Sequence, residues 1–387
     1  MESSNKNKAD PVVDVRSGRR GFLRSMLVAG ATLPFPALVL AKSGDAGSSW
    51  PSYYPADYKS IVEASKKESG LTIYSNMASY NWEPIIKGFQ KQYPWIKSIK
   101  SNNLDSSEVF ERYYSESATG TSPASLMVSG SPTSWLQLLK KNVLLDYKSP
   151  ELSHLPDFAE PKPNLYTFSA DPILMAYNTA LMSEKERPKS IGQLVELVTK
   201  DPKRFHGKIT TYDISVSFGF AIFYDWLKSN PDHGWDTLGK LLKMTRPERS
   251  SGPMVNKLQT GEYLAGYFLS STVVIPQASK SAGLLGWSYI ADGTPMFLRG
   301  MGIPKTAPQA NSAKLMLDYL LSQKGQVSVY QGGFTPYRSG LPAGEAPRSY
   351  EAIVSKLGKK NLIIIGYDDV SQDEEQKIIK KWKGLLK

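Results

Sequence analysis

Ser125-Leu-Met-Val-Ser-Gly-Ser-Pro-Thr-Ser-Trp-Leu-Gln-Leu-Leu-Lys140 packs a strand, a turn and a helix start into one line. The apolar run Ser125 to Val128 reads as a buried strand, Ser129-Gly130-Ser131 interrupts it, and Pro132 sits where a helix running to Lys140 would take its first turn. Upstream the same rhythm recurs. Leu71 to Ser75 is a β-prone run, Trp82 to Tyr93 carries apolar residues at helical spacing (Ile85, Ile86, Phe89), Ile96 to Ile99 is a second strand candidate and Ser107 to Glu116 a second helix. Strand and helix alternating in this way imply an α/β fold around a parallel sheet covered on both faces.

Downstream, Ile173-Leu-Met-Ala-Tyr-Asn178 reads as an extended segment crossing into a second region. Gly207 to Asp213 is a strand candidate there, Ser217 to Lys228 a helix, and Tyr263 to Leu269 another strand that ends in Ser270-Ser271-Thr272. Thr294 to Leu298 and Gly302 to Pro304 read as an extended return, followed by an amphipathic helix from Ser312 to Leu321. The tail beyond about residue 341 carries a strand-like run, Leu362 to Ile365, and a charged amphipathic helix near 372–383; the sequence assigns it no role.

The N-terminus is built for export. Ser17-Gly18-Arg19-Arg20-Gly21-Phe22-Leu23-Arg24 resembles a twin-arginine signal, with Gly18 where Ser or Thr usually precedes the arginine pair and Arg24 in place of a common Lys. The apolar run Met26 to Leu40 is short and broken by Gly30, Thr32, Pro34 and Pro36, whereas a spanning helix needs roughly 20 apolar residues. Cleavage near Ala41 follows, giving a periplasmic protein; a retained anchor is the alternative. Residues 42–56, rich in Ser, Gly, Asp and Pro, read as a flexible leader extending to about 67.

Composition removes whole classes of chemistry. The 387 residues contain no cysteine, which excludes disulfides, thiolate metal sites and cysteine nucleophiles. Three scattered histidines (His154, His206, His233) show no ligand spacing, so no metal site is expected. No Gly-x-Ser-x-Gly or Gly-x-Gly-x-x-Gly motif occurs, and Gly234 to Lys240 has phosphate-loop spacing but Leu241 where a hydroxyl is needed. No catalytic constellation and no cofactor site emerge, so an enzyme is not expected. The formal net charge of +11 favours anionic partners weakly, and no nucleic-acid module surrounds the basic residues.

Taken in order, Leu71 to Ser75, Phe89 to Pro94, Val128 to Pro132, Tyr177-Asn178-Thr179, Pro188 to Ile191, His206 to Ile209, Gly261-Glu262, Ala313 to Ser322 with Gly325-Gln326, and Thr335 to Arg338 resemble the periplasmic substrate-binding proteins of ABC importers. The match lies in the branch with ferric-iron, phosphosugar and phosphonate receptors. That resemblance implies the type II periplasmic binding protein fold: two α/β lobes joined by two crossing strands, with the solute held between them. It divides the chain into the signal 1–41, a leader 42–67, lobe 1 (68–170 plus 291–387) and lobe 2 (171–290). It further implies a small-molecule solute and an inner-membrane permease as partners, the twin-arginine translocon during export, no nucleic acid, and a monomer.

In open α/β sheets, ligands bind beyond the carboxyl ends of strands on loops that start helices. Asn76 and Ser79 occupy such a loop, with an N-cap role for Ser79 or Asn81 as the alternative. Ser129, Gly130, Ser131 and Thr133 form the turn that contacts ligand in the resembling family, with plain capping as the alternative. Asp213 and Ser215 form the mirror loop, with Asp213 read as a cap and Ser215 as a ligand contact. Ser270 and Ser271 stand where ferric-binding relatives carry adjacent tyrosines; here Tyr267 is followed by Phe268, and hydroxyls instead suit phosphate, phosphonate, carboxylate or sugar oxygens. Tyr177 can line the cleft or fill the hinge, and Arg338 can meet a ligand anion or a structural carboxylate. The function that follows is delivery of a small anionic solute to an importer, against two alternatives: an iron(III) or iron-chelate receptor, or an exported enzyme using the same cleft.

Overall fold

The computed structural model describes residues 50–387 apart from residue 69 and residues 122–123. The export signal lies outside the described residues. In chain order the first elements are α1 (Tyr58–Ser65), β1 (Gly70–Ser75), α2 (Ser79–Gln92), β2 (Ser98–Asn103), α3 (Glu108–Ala118), β3 (Leu126–Ser129) and α4 (Pro132–Lys140). The long strand β4 (Tyr166–Asn178) leads into α5 (Ile191–Lys200), α6 (Pro202–Phe205), β5 (Ile209–Tyr212), α7 (Ser217–Ser229), α8 (Gly234–Leu242) and β6 (Thr245–Glu248). After these come α9 (Ser251–Gln259), β7 (Ala265–Ser270), α10 (Ser271–Lys280) and β8 (Leu285–Ser288). A second long strand, β9 (Thr294–Gly302), precedes α11 (Ala310–Leu321), α12 (Gln323–Gln331), α13 (Tyr350–Leu357), β10 (Leu362–Ile365) and α14 (Gln372–Gly384).

The strands join in the order β2-β1-β3-β9-β4-β7-β5-β6, with β10 on β9 and β8 on β4. Each βα unit supplies parallel pairs, β1 with β2 and β3, and β5 with β6 and β7. The two long strands correct the expectation of an all-parallel sheet: β9 runs antiparallel to β3 and β4, and β4 antiparallel to β7 and β8. A chain that crosses to a second region and returns must run its outgoing and returning strands in opposite senses. Along β4, residues up to Pro172 pair with β9, and from Ile173 onward the partners are β7 and β8. Both strands are buried along nearly their whole length, as their apolar runs require.

Packing sets α4 where the loop reading needs it. The Trp135 ring lies against Gly300 and Gly302 of β9, and its Nε1 donates to the Ser129 carbonyl at 3.0 Å. A Cβ on Gly300 would stand 2.5 Å from that nitrogen, so only glycine admits the ring.

The flexible leader is corrected over its described part. Tyr54, Tyr58 and Val62 are buried, and Trp50 packs on Tyr58 with ring centres 5.7 Å apart. The polar tips of these tyrosines explain the docking. Tyr58 and Tyr147 donate to Asp318 Oδ2 at 2.8 and 2.5 Å, Ser149 donates to Oδ1 at 2.6 Å, and Tyr54 donates to Glu151 at 2.5 Å. Burial pushes the Asp318 carboxyl up to about 7 against these donors. The folded protein therefore keeps a proton that the unfolded chain, titrating at about 3.9, releases. Stability from this group is full below about pH 4, falls as pH rises toward 7, and is flat above it. Asp318→Asn should flatten that slope, shrinking the loss of Tm between pH 4 and 8 by several degrees at roughly 2–4 °C per kcal/mol; an unchanged slope in a calorimetric pH series sinks the assignment.

Candidate functional site

The carboxyl end of β1 delivers Asn76, that of β3 delivers Ser129 and Gly130, and the middle of β9 delivers Arg299, a residue the sequence reading missed. Arg299 is 7% exposed. Its Nη1 donates to Asn76 Oδ1 at 2.8 Å, while Asn76 Nδ2 donates to Ser106 Oγ at 2.8 Å. The guanidinium lies 5.1 Å from the Phe334 ring centre, and a Cβ on Gly130 would stand 3.2 Å from Nη1. Its counter-charge is Asp171 of β4, whose Oδ2 is 3.7 Å from Nε, beyond direct hydrogen-bond reach. Nε has no hydrogen-bond partner among the described residues.

Asp171 is held otherwise: Ser169 Oγ donates to it at 2.8 Å and the Thr335 N–H at 2.9 Å. Burial pushes its carboxyl up and pushes the Arg299 guanidinium down, each opposed by the other's charge. The centre thus holds one cation with spare donor capacity, only loosely matched by its carboxylate. An oxyanion is the chemical complement of such a group.

The second half of the chain closes on this centre from across the crossing strands. Phe218 at the start of α7 packs with tilted rings on Phe297 of β9 at 4.3 Å and on Tyr212 at 4.9 Å. Thr133 Oγ1, in the first turn of α4, lies 3.1 Å from Ser217 Oγ, in the first turn of α7. Tyr212 shares a hydrogen bond with Ser251 Oγ at 2.7 Å, and that oxygen accepts the Ser270 N–H at 3.0 Å. The first turns of α4 and α7 thus meet each other, while Tyr212 links the starts of α9 and α10 to the Phe218–Phe297 contact on β9.

The expected residues divide on this geometry. Asn76 and Gly130 stand beside Arg299, Thr133 meets Ser217 of the second half, Ser270 joins Tyr212 through Ser251, and Ser271, buried, opens α10. Ser129 adjoins Gly130, but its hydroxyl is spent on the Ser106 carbonyl at 2.7 Å. Ser131 and Ser134 satisfy each other at 2.8 Å, as do Ser270 and Thr272 at 2.8 Å. Ser79 opens α2, exposed, with no hydrogen bond to the Arg299 cluster. Ser215 is exposed and donates its N–H to Asp213 Oδ1 at 2.7 Å, so Asp213 closes a turn within the loop and does not cap α7, whose N-cap is Val216 without a side-chain bond. Tyr177 is not brought to the centre. It sits four residues past Ile173, about 13 Å along the strand, with its ring covering Gly286 of β8. Arg338 also stands apart, its Nη1 on the buried Glu151 at 2.5 Å.

Phe268 adopts φ +63, rare for a bulky residue, one position before the Leu269-Ser270 step into α10. Tyr267 beside it is fully buried, and burial raises its phenol, so no phenolate is offered there. Among the described residues, no three His, Asp or Glu side chains gather as a metal set, and no helix is long and apolar enough to cross a membrane.

Gly130→Ala should weaken solute binding about tenfold, the value of roughly one hydrogen bond, because the new methyl stands 3.2 Å from Arg299 Nη1 and must displace it. Calorimetric titration beside a melting curve checks it; an unchanged affinity in a variant that melts like the parent contradicts it.

Solved structures similar to this chain share this architecture. A substrate-binding protein of an ABC transporter from Agrobacterium tumefaciens is 18% identical, with 83% of this chain and 96% of that one covered and a TM-score of 0.71. Iron-bound HitA from Pseudomonas aeruginosa is 17% identical over 82% of this chain and 99% of its own, TM-score 0.62. The periplasmic binding protein AfuA from Actinobacillus pleuropneumoniae, solved with fructose-6-phosphate, is 20% identical over 82% and 99%, TM-score 0.62. The fold is therefore that of the two-lobed periplasmic binding proteins, with β4 and β9 as the crossing strands. No curated protein sequence matches the chain. A model of the bacterial extracellular solute-binding protein family matches residues 84–354, well over half of the chain. This chain belongs to the family of bacterial extracellular solute-binding proteins.

Proposed function

We propose that this protein is the receptor of an ABC importer and carries a small oxyanion, held between its lobes against Arg299, to an inner-membrane permease. The observation that carries the reading is a buried guanidinium on a crossing strand, hydrogen-bonded to Asn76 at the end of β1 and with an unpartnered Nε among the described residues. The lobes we assign are 68–170 with the return from 291, and 171–290, hinged where the partners of β4 change between Pro172 and Ile173. Asn76, Gly130, Thr133, Ser270 and Ser271 surround the anion, with Ser79 and Ser215 at the rim. Binding and release, rather than bond-making, suit a site whose polar groups are a cation, amides and hydroxyls. Export by the twin-arginine route, with cleavage near Ala41, accounts for the N-terminal motif, and the receptor acts as a monomer.

The cationic centre opposes a bare ferric ion and favours an anion of phosphate, phosphonate or carboxylate type. The AfuA and HitA neighbours hold a sugar phosphate and iron respectively, so the panel that tests the reading must contain sugar phosphates, phosphonates, carboxylates, ferric chloride and ferric citrate. Protein purified, unfolded and refolded to strip its cargo should melt several degrees higher with at least one anion. A rise with ferric chloride alone, or with none of the panel, overturns the proposal.

A further inference from the structure

The family match stops at residue 354, and the chain beyond it does not trail away. β10 pairs in parallel with Thr294 to Phe297 of β9, adding a third strand beside the two that cross between the halves. Immediately after it, the Gly366 N–H donates to Asp225 Oδ2 of α7 at 3.1 Å. Tyr367, 3% exposed, reaches back under β9 and donates to the Leu298 carbonyl at 3.0 Å, next to Arg299. Asp368 then pairs with Lys228 of α7 at 2.7 Å, and Asp369 with Lys140 of α4 at 2.9 Å. Finally α14 docks on the second half: Trp382, fully buried, meets Phe223 of α7 at 5.3 Å, and Lys381 stands 4.2 Å from the Trp235 ring centre of α8. The expectation that 291–387 belongs wholly to the first lobe thus does not describe this helix.

The two helices joined by Asp368 and Asp369 are the pair whose first turns meet at Thr133 and Ser217. They also wall, with residues 366–376, a cavity of about 720 Å³ at that junction. Parting α4 from α7 pulls Lys140 and Lys228 away from the adjacent Asp369 and Asp368, and bending β9 disturbs its ladder with β10.

We propose that residues 362–387 form a strap that holds α4 and α7 together across the hinge and so sets how readily this binding cleft opens. The inference rests on the two-lobe receptor reading above. Both ion pairs are exposed, so the strap is salt-sensitive and adjustable rather than a permanent clamp.

The absence of cysteine permits a clean distance measurement. Spin labels on Lys87→Cys in α2 and Lys280→Cys in α10, both exposed, report the separation of the halves in cargo-stripped protein. Ending the chain at Ser371 removes α14, and Asp368→Lys/Asp369→Lys turns both pairs repulsive without removing packing. Each should raise the long-distance population at least about threefold, and added sodium chloride should do the same to the parent protein but not to the double variant. Thr133→Trp, a wedge at the α4–α7 contact, serves as the control for lobe motion. If the wedge opens the protein while the charge-reversed variant keeps the parent distances, the strap is wrong and the receptor reading stands. If even the wedge leaves the distances fixed, the halves do not part, and both ideas fall.

Discussion

Arg299→Ala should lose solute binding by at least about a hundredfold in Kd, the effect of truncating one member of a buried, hydrogen-bonded charge pair. Nη1 no longer fixes Asn76, the Nε donor vanishes, and the cavity that remains faces the Asp171 carboxylate alone. An oxyanion entering that space would meet a like charge, so the loss exceeds that of a single hydrogen bond. Stability should fall as well, because Asp171 is 2% exposed and left without its counter-ion. Burial already raises its carboxyl, so protonation relieves part of the cost. The double variant Arg299→Ala/Asp171→Asn separates the two effects: melting temperature should return toward the parent value, and affinity should not. Recovery of affinity in the double variant would mean that Arg299 is structural. Arg299→Lys should keep a charge yet restore little, since an ammonium lacks the planar fork that spans Asn76 and a ligand oxygen together.

A second large effect is expected far from the cleft, at Arg338→Met. Glu151 is fully buried and accepts from Arg338 Nη1 at 2.5 Å, from Tyr54 at 2.5 Å and from Tyr53 at 2.9 Å. Removing the only cation on that carboxylate among the described residues should cost about 3–5 kcal/mol. That corresponds to a drop in Tm of roughly 6–20 °C at 2–4 °C per kcal/mol, read by calorimetry. Arg338→Met/Glu151→Gln should regain most of it, because the buried charge goes with its partner. Solute affinity in the surviving folded fraction should be unchanged. A variant that melts normally but binds poorly would return Arg338 to the ligand.

Local pattern accounts for the parts of the fold that needed no partner to be read. The βα units around Leu71 to Ser75 and Ser125 to Lys140 appear within a residue or two of expectation, because strand apolarity, a small-residue turn and Pro132 all act over short range. The tail shows the same: Leu362 to Ile365 is a strand, and a helix follows from Gln372. The strand expected at Ile96 to Ile99 instead begins at Ser98, since this edge strand, half exposed with Ser and Asn along it, takes its register from β1 rather than from its own pattern. The 42–56 leader misled for a related reason. Tyr53 and Tyr54 look like loop residues until Glu151, far along the chain, offers them an acceptor.

The sequence by itself determined the α/β class, the loops that open helices at the cleft, and the absence of cysteine chemistry, because propensity, spacing and composition are properties of neighbours along the chain. Only the tertiary structure decided which side chains lie beside one another and which charge stands among them. Arg299 lies mid-strand in an apolar run and reads as an oddity there; its meaning comes from Asn76, Asp171, Gly130 and Phe334, which are distant in sequence and meet only when β9 is threaded between β3 and β4. Tyr177 and Arg338 were fixed the same way, one turned onto Gly286 and the other onto Glu151. The physical reason is that a buried charge is stable only beside its complement, and which complement it finds depends on long-range packing that local pattern does not encode.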